Sequence, residues 1–376
     1  MKAARIHAFG SPDVIRIDDV PPPTPNAGEI LVRVAAAGVG PWDALFRERK
    51  ITVSSPLPLI LGSDVSGMVD ATGPGVAQFK AGDEVYGVTN SQFLGAYAQY
   101  ALASQMMIAQ KPRSLSFVEA ASAPVVAVTA WQMLFDYAEA KAGQTVLIHG
   151  AGGNVGAYAV QMARNAGLEV FATASAKDLD YVRELGAGTA IDYRETPFED
   201  VVRAVDIVLD TVGGDTCVRS IGVLKPGGML VSVVSSPMPE DMAAQAGVRA
   251  VYFIVDVTTD RLHTIAELFD SKKLVPQVGT VLPLADAQVA HQMLAGAPHG
   301  RGKIVLHVAA WKDSRHQKAG SQIEGRRGLW NTDPLLRKIT CGKENTHGDA
   351  CCDSQRQSAS RTSDETEVLA STPSAL

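Results

Sequence analysis

The chain has 376 residues, 46% of them hydrophobic and 20% charged, with a formal net charge of -6. This length suggests two domains, and an acidic chain without a basic block in its folded part argues against a nucleic-acid partner. No apolar run approaches the roughly 18 residues of a membrane span, and the amino-terminal MKAARIHAFG lacks the apolar centre of a signal peptide, so a cytoplasmic protein is expected.

Residues 1 to about 120 read as β-rich. Ile30 to Val34 and Gly67 to Val69 are strand candidates, and prolines 21, 22, 23 and 25 make a stiff connection. Gly62, Gly67, Gly73, Gly75, Gly82 and Gly87 punctuate short turns, which suits a partly open barrel. The character changes at Val118, where an alanine-rich helix is expected over 118–128. Strands are then expected over 145–149, 168–174, 189–193, 206–210, 228–234 and 250–255. Helices between them include 155–166, 178–185 and 216–224. This alternation predicts a doubly wound parallel sheet. A strand over 278–284, a helix over 285–295 and a strand over 303–306 should rejoin the first domain. From Ala310 the chain is polar and aperiodic, and 310–376 is read as a disordered tail. Of Cys217, Cys341, Cys351 and Cys352, only Cys217 precedes the tail, so no disulfide framework supports the core. The tail cysteines and His347 fit no standard zinc spacing.

One stretch carries the chemistry: TVLIHGAGGNVG, Thr145 to Gly156. A buried strand, Val146-Leu147-Ile148, runs into Gly150, Gly152, Gly153 and Gly156, and a helix follows. The glycines read GxxGxxG rather than GxGxxG. Strand, glycine turn and helix together make a dinucleotide cradle, because the backbone must approach a diphosphate closely and helix-start N–H groups must face it.

Several segments now fall into a familiar order. They are Ala37-Gly38-Val39-Gly40-Pro41-Trp42-Asp43, Leu61-Gly62-Ser63-Asp64-Val65-Ser66-Gly67, Gly82-Asp83-Glu84-Val85-Tyr86-Gly87, Gly95-Ala96-Tyr97-Ala98-Gln99-Tyr100, Val128-Thr129-Ala130-Trp131, the glycine turn, and Gly302-Lys303-Ile304-Val305-Leu306. In these, over residues 1 to about 308, the chain resembles the medium-chain dehydrogenase/reductase superfamily in its zinc-free quinone oxidoreductase (zeta-crystallin-like) branch. The resemblance implies an α/β fold: a GroES-like, partly open β-barrel catalytic domain and a doubly wound (Rossmann) cofactor domain. The expected boundaries are 1–120 for the first part of the catalytic domain, 121–265 for the NADP-binding domain and 266–309 for the return. Zinc-dependent relatives use a Cys near the first motif and a Gly-His-Glu at the second. Here those places hold Gly40 and Gly62-Ser63-Asp64, so no metal site is expected.

The resemblance also assigns cofactor contacts. The glycine turn with Asn154 and Val155 would hold the diphosphate. The second strand of the sheet runs on into Ser175-Ala176-Lys177 with no carboxylate at its tip, where an NAD enzyme would place one. Ser175 and Lys177 with Tyr193 would instead hold a 2′-phosphate, so NADPH is the expected cofactor. Thr129, Thr211, Ser235, Phe253, Ile254 and Val255 would line the nicotinamide side. Thr211 and Ser235 read equally as turn hydroxyls.

Without a metal, the substrate must accept hydride readily, as quinones and carbonyl-conjugated alkenes do. No proton donor stands out. Tyr86 and Asp43 lie in cleft-facing motifs but read more simply as structural. Trp42 reads either as a flat lid over an aromatic quinone or as a core residue. Gly40 departs from relatives, which often have Asn there. His149 reads as a satisfied structural histidine. The expected activity is NADPH-dependent reduction of quinones or enones by a homodimer. An enoyl-thioester reductase and a non-catalytic NADPH-binding protein are the alternatives.

Overall fold

The computed structural model describes residues 1–308 except 53, 54, 235 and 236. Ser235 and the segment 310–376 lie outside the described residues. The strands are, in chain order, β1 (Lys2–Ile6), β2 (Ile15–Asp19), β3 (Glu29–Val39), β4 (Leu59–Ile60), β5 (Asp64–Thr72), β6 (Glu84–Val88), β7 (Tyr100–Ser104), β8 (Ile108–Gln110), β9 (Thr145–His149), β10 (Glu169–Ala174), β11 (Thr189–Asp192), β12 (Val205–Asp210), β13 (Leu224–Ser232), β14 (Arg249–Tyr252), β15 (Val278–Pro283) and β16 (Lys303–His307).

The spine of the first lobe is β3. Its run ILVRVAAAGV is buried almost throughout, and it pairs antiparallel with β5, β7 and β16. A seven-stranded sheet results, in the order β15-β16-β3-β5-β6-β8 with β7 also on β3, beside a three-stranded sheet β2-β1-β4. The last two strands pair into the sheet of the first lobe. The second lobe is a six-stranded sheet in the order β11-β10-β9-β12-β13-β14, parallel throughout. Its central strands β9 and β12 are buried on both faces, which suits apolar runs such as Val146-Leu147-Ile148. Strand order reverses between β9 and β12, where open sheets of this kind bind ligands.

Two expected elements differ. The helix over 118–128 is two helices, α2 (Phe117–Ala121) and α3 (Pro124–Trp131). Pro124 cannot supply an intrahelical N–H, so the hydrogen-bond ladder breaks there and restarts. The N–H of Val125, in the new first turn, donates instead to Asp64 Oδ1 at 3.0 Å. The last strand of the parallel sheet stops at Tyr252, so Phe253, Ile254 and Val255 lie beyond it and not on it. Phe253 turns inward to stack on Tyr137, with ring centroids 4.2 Å apart.

Candidate active site and cofactor cleft

The glycine turn connects β9 to the helix α4 (Asn154–Asn165). The chain leaves the strand at Gly150 with φ +69°, a conformation that L side chains rarely adopt. Gly156 in the first turn of the helix is pressed against this loop: a Cβ there would lie 2.3 Å from the Gly150 carbonyl oxygen and 2.7 Å from Ala151 Cα. The Thr211 hydroxyl donates to the His149 carbonyl at 2.8 Å and braces the turn against the neighbouring strand.

A cavity of about 510 Å³, the more polar of two that meet at the turn, lies against it. Gly150, Gly152 and Gly153 form its floor, and Ser175, Asp178, Tyr193, Thr216 and Arg219 stand around it. Asp178 is the carboxylate that the sequence reading missed, because it stands four residues past the strand. Its oxygens accept from Ser175 Oγ at 2.6 Å and from Arg301 Nε at 2.6 Å. Partial burial pushes its pKa up, but these two partners outweigh that and hold it below the usual carboxylate range. Arg301 comes from the loop before β16, in the other lobe. It also donates to the Lys177 carbonyl at 3.1 Å and lies over the Tyr181 ring at 4.4 Å. Lys177 itself is exposed and does not line the cavity. The cation in the wall is Arg219, held by Glu199 and Asp215. No local signal announced Arg301 or Arg219, since only the tertiary fold brings them here.

An apolar cavity of about 700 Å³ opens on the other side of Gly153, which lines both spaces. Its walls come from the two lobes: Trp42, Leu45 and Phe93 from the first, and Thr129, Thr211, Val233 and Phe253 to Val255 among those from the second. Among the described lining residues there is no Asp, Glu, His, Lys, Arg or Cys. The hydroxyls are those of Thr52, Ser91, Thr129, Thr211 and Tyr252. Thr129 already donates to the Val125 carbonyl at 2.7 Å, so its oxygen faces a ligand as an acceptor. Among the described residues no group of three His, Cys, Asp or Glu is placed to hold a metal ion.

Two of the candidate catalytic residues sit away from this cavity. The Tyr86 hydroxyl is buried and donates to the Leu262 carbonyl at 2.5 Å. Asp43 is a buried residue in the first turn of the helix α1 (Pro41–Arg47), where its Oδ2 accepts from the Tyr97 hydroxyl at 2.7 Å and the Gly40 N–H at 2.9 Å. His149 is buried between Thr173 and Ser220, and burial lowers its pKa to about 4. Trp42, in contrast, is in the cavity wall.

Burial raises the Asp43 pKa from its ordinary 3.8 to about 7, against the pull of its two hydrogen bonds and of Lys303. A carboxyl whose folded pKa is raised favours folding most below its unfolded value, and that contribution is lost as pH rises through 7. The depressed pKa of His149 acts at lower pH, being lost as pH falls from 6.5 toward 4. Relative to Asp43→Asn, which keeps the histidines, the wild type is therefore expected to lose melting temperature by scanning fluorimetry as pH rises from 3.8 to about 7. A difference between the two proteins that stays constant over this range contradicts the assignment.

A parallel sheet with a glycine cradle at its switch point, facing a second lobe across an apolar cleft, defines a two-lobed nicotinamide oxidoreductase. Comparison with known proteins agrees. The alcohol dehydrogenase GroES-like domain family matches residues 26–113, and the zinc-binding dehydrogenase family matches 185–306. Human quinone oxidoreductase is 30% identical over 322 residues, covering 81% of this chain and 97% of the relative. The chloroplastic NADPH-dependent alkenal/one oxidoreductase of Arabidopsis thaliana is 32% identical over 318 residues, covering 82% and 79%. The solved quinone oxidoreductase of Coxiella burnetii superposes with a TM-score of 0.77 at 35% identity, covering 82% of this chain and 99% of that one. The chain belongs to the quinone oxidoreductase (zeta-crystallin-like) branch of the medium-chain dehydrogenase/reductase superfamily, and it is an oxidoreductase.

Proposed function

We propose that this chain is an NADPH-dependent, zinc-independent oxidoreductase acting on quinones and α,β-unsaturated carbonyls. The observation that carries the reading is the meeting of a polar and an apolar cavity at Gly153. A dinucleotide needs that pairing, with its diphosphate on the glycine turn and its reactive ring in the apolar half. The cradle fits such a group because the turn closes only with glycine: a Cβ at Gly150 would lie 2.5 Å from Thr211 Oγ1 and one at Gly156 2.3 Å from the Gly150 carbonyl oxygen. Gly150, Gly152, Gly153, Asn154, Val155 and Gly156 would hold the diphosphate. Thr129, Thr211, Phe253, Ile254 and Val255 would flank the ring. When bound there, the reduced nicotinamide supplies a hydride.

For the 2′-phosphate, Ser175 and Tyr193 stand in the cavity wall with Arg219, and Lys177 stands outside it. Asp178 would oppose a phosphate, but its charge is already met by Arg301, and Glu199 and Asp215 are already paired with Arg219. The residues of the apolar cavity exclude water and leave the Tyr252 hydroxyl to donate to a carbonyl, since those of Thr129 and Thr211 already donate to the Val125 and His149 carbonyls. With no acid among the described lining residues, the proton that completes reduction comes from solvent or through a hydroxyl. The family resemblance implies a homodimer, and the amino-terminal sequence a cytoplasmic protein. Among the described residues no helix is long and apolar enough to cross a membrane.

Zinc independence is supported by what occupies the positions where zinc-dependent relatives keep ligands. A Cβ at Gly40 would lie 2.2 Å from the Trp42 ring, so the indole occupies the space a cysteine would need. The Ser63 hydroxyl accepts from the indole N–H at 3.1 Å, and Asp64 is paired with Lys303.

The test is direct. Protein dialysed against chelator is expected to oxidise NADPH with 1,2-naphthoquinone or 3-buten-2-one well above the blank, with no stoichiometric zinc. The kcat/KM for NADPH should exceed that for NADH by about tenfold or more, the scale of one charge-assisted contact. Activity restored only by added zinc, or a preference for NADH, contradicts the reading.

A further inference from the structure

The indole of Trp42 packs against the cores of both lobes and is held by specific contacts besides. Its Nε1–H donates to Ser63 Oγ at 3.1 Å, and Ser63 is itself fully buried. The Lys303 ammonium lies 4.2 Å from the ring centroid. That lysine is 1% exposed and faces the Asp64 carboxylate at 2.8 Å, a charge contact rather than an aligned hydrogen bond. The Phe93 ring meets the indole edge-on, with centroids 6.4 Å apart at 80°. Gly40 supplies the room: a Cβ there would come within 2.2 Å of the ring's Cζ2 and 2.4 Å of its Cε2. Any side chain at position 40 and this indole exclude one another.

The buried cation covers the inner side of the indole, and the rest of the ring forms cavity wall. Its neighbours in that wall, Leu45, Phe46, Ile51 and Phe93, are apolar. A ring fixed at its N–H and held on one face by a cation keeps its orientation without spending side-chain entropy on binding. Such a wall favours a flat conjugated partner by stacking and burial, and gives a short flexible one only part of that contact.

We propose that Trp42 is a specificity-determining residue that selects planar, conjugated ring substrates over short acyclic enones, with Gly40, Ser63 and Lys303 as its seat. This rests on reading the apolar cavity as the substrate site. The selection acts through binding, so its signature is in KM.

The experiment compares wild type with Trp42→Leu, Trp42→Phe and Gly40→Ala, using 1,2-naphthoquinone and 3-buten-2-one with saturating NADPH. Trp42→Leu is expected to lower the quinone-to-enone ratio of kcat/KM about tenfold, mostly through the quinone KM. Trp42→Phe should recover part of it. Gly40→Ala should follow the leucine variant, because the new methyl takes the space of the indole while leaving the residue present. A ratio unchanged in both Trp42→Leu and Gly40→Ala overturns the proposal. Equilibrium binding of 2-naphthol to the same proteins separates the two levels. A wild type that turns over neither substrate overturns the functional reading, whereas the loss or retention of 2-naphthol affinity in Trp42→Leu then decides the stacking role. Equal affinity in wild type and Trp42→Leu overturns it.

Discussion

Gly156→Val is expected to abolish tight nucleotide binding, raising the Kd for NADPH at least about 100-fold, or roughly 2.8 kcal/mol. The new Cβ would sit 2.3 Å from the Gly150 carbonyl oxygen and 2.7 Å from Ala151 Cα. Both obstacles are backbone, so no rotamer change relieves them. Either the helix α4 lifts from the turn, or the turn opens, and in both cases the N–H groups around Gly153 lose their convergence on one anion. The buried helix face, with Tyr158, Ala159 and Met162 in the core, makes a lift costly, so some loss of melting temperature is also expected. Titration of NADPH fluorescence measures the first effect and circular dichroism the second. Gly222→Ala is the control, since nothing lies within 4 Å of its Cβ position and its φ is not positive. Affinity for NADPH within threefold of wild type in Gly156→Val would remove the turn from the cofactor site.

The second large effect is structural. Lys303→Met is expected to destabilise the protein by about 3–5 kcal/mol, the usual cost of stranding one member of a buried ion pair. Asp64 is fully buried, with one oxygen accepting from Val125 N–H and the other facing the Lys303 ammonium at 2.8 Å. Burial pushes the Asp64 pKa up, and Lys303 is the main force against it. Without the lysine the carboxyl must be protonated or stay charged in an apolar setting. The melting temperature should fall by about 10 °C for a chain of this size. A second change, Asp64→Asn, removes the stranded charge and is expected to restore part of the loss. If the single and double variants melt together with wild type, the pair does not hold β5 and β16 as described.

These two sites differ in how far the chain announces them. The cradle around Gly150 to Gly156 is local. A buried strand, a turn that demands positive φ and a tightly packed helix all lie within about twenty residues, so periodicity and glycine spacing suffice to place them. The parallel sheet was legible for the same reason, as were the last strands, whose apolar runs are short but well separated. The break at Pro124 was present in the sequence but outweighed by alanine-rich helical character. The early end of the sixth strand was not, because Phe253 leaves the sheet to stack on Tyr137, a partner more than a hundred residues away.

By itself the sequence determined the fold class, the place of the glycine cradle, and the absence of Cys and His at positions where zinc-dependent relatives keep their ligands. Each of these depends on residue type and short-range spacing. Only the tertiary structure decided which polar groups share a cavity. It set Arg301 against Asp178 across the two lobes, put Arg219 rather than Lys177 in the cavity wall, withdrew Asp43 and Tyr86 into the core, and seated Trp42 over a buried ammonium. Charge pairing and burial are set by distance in space, and residues 123 apart in the chain, as in the Arg301–Asp178 pair, leave no mark of it in their local order.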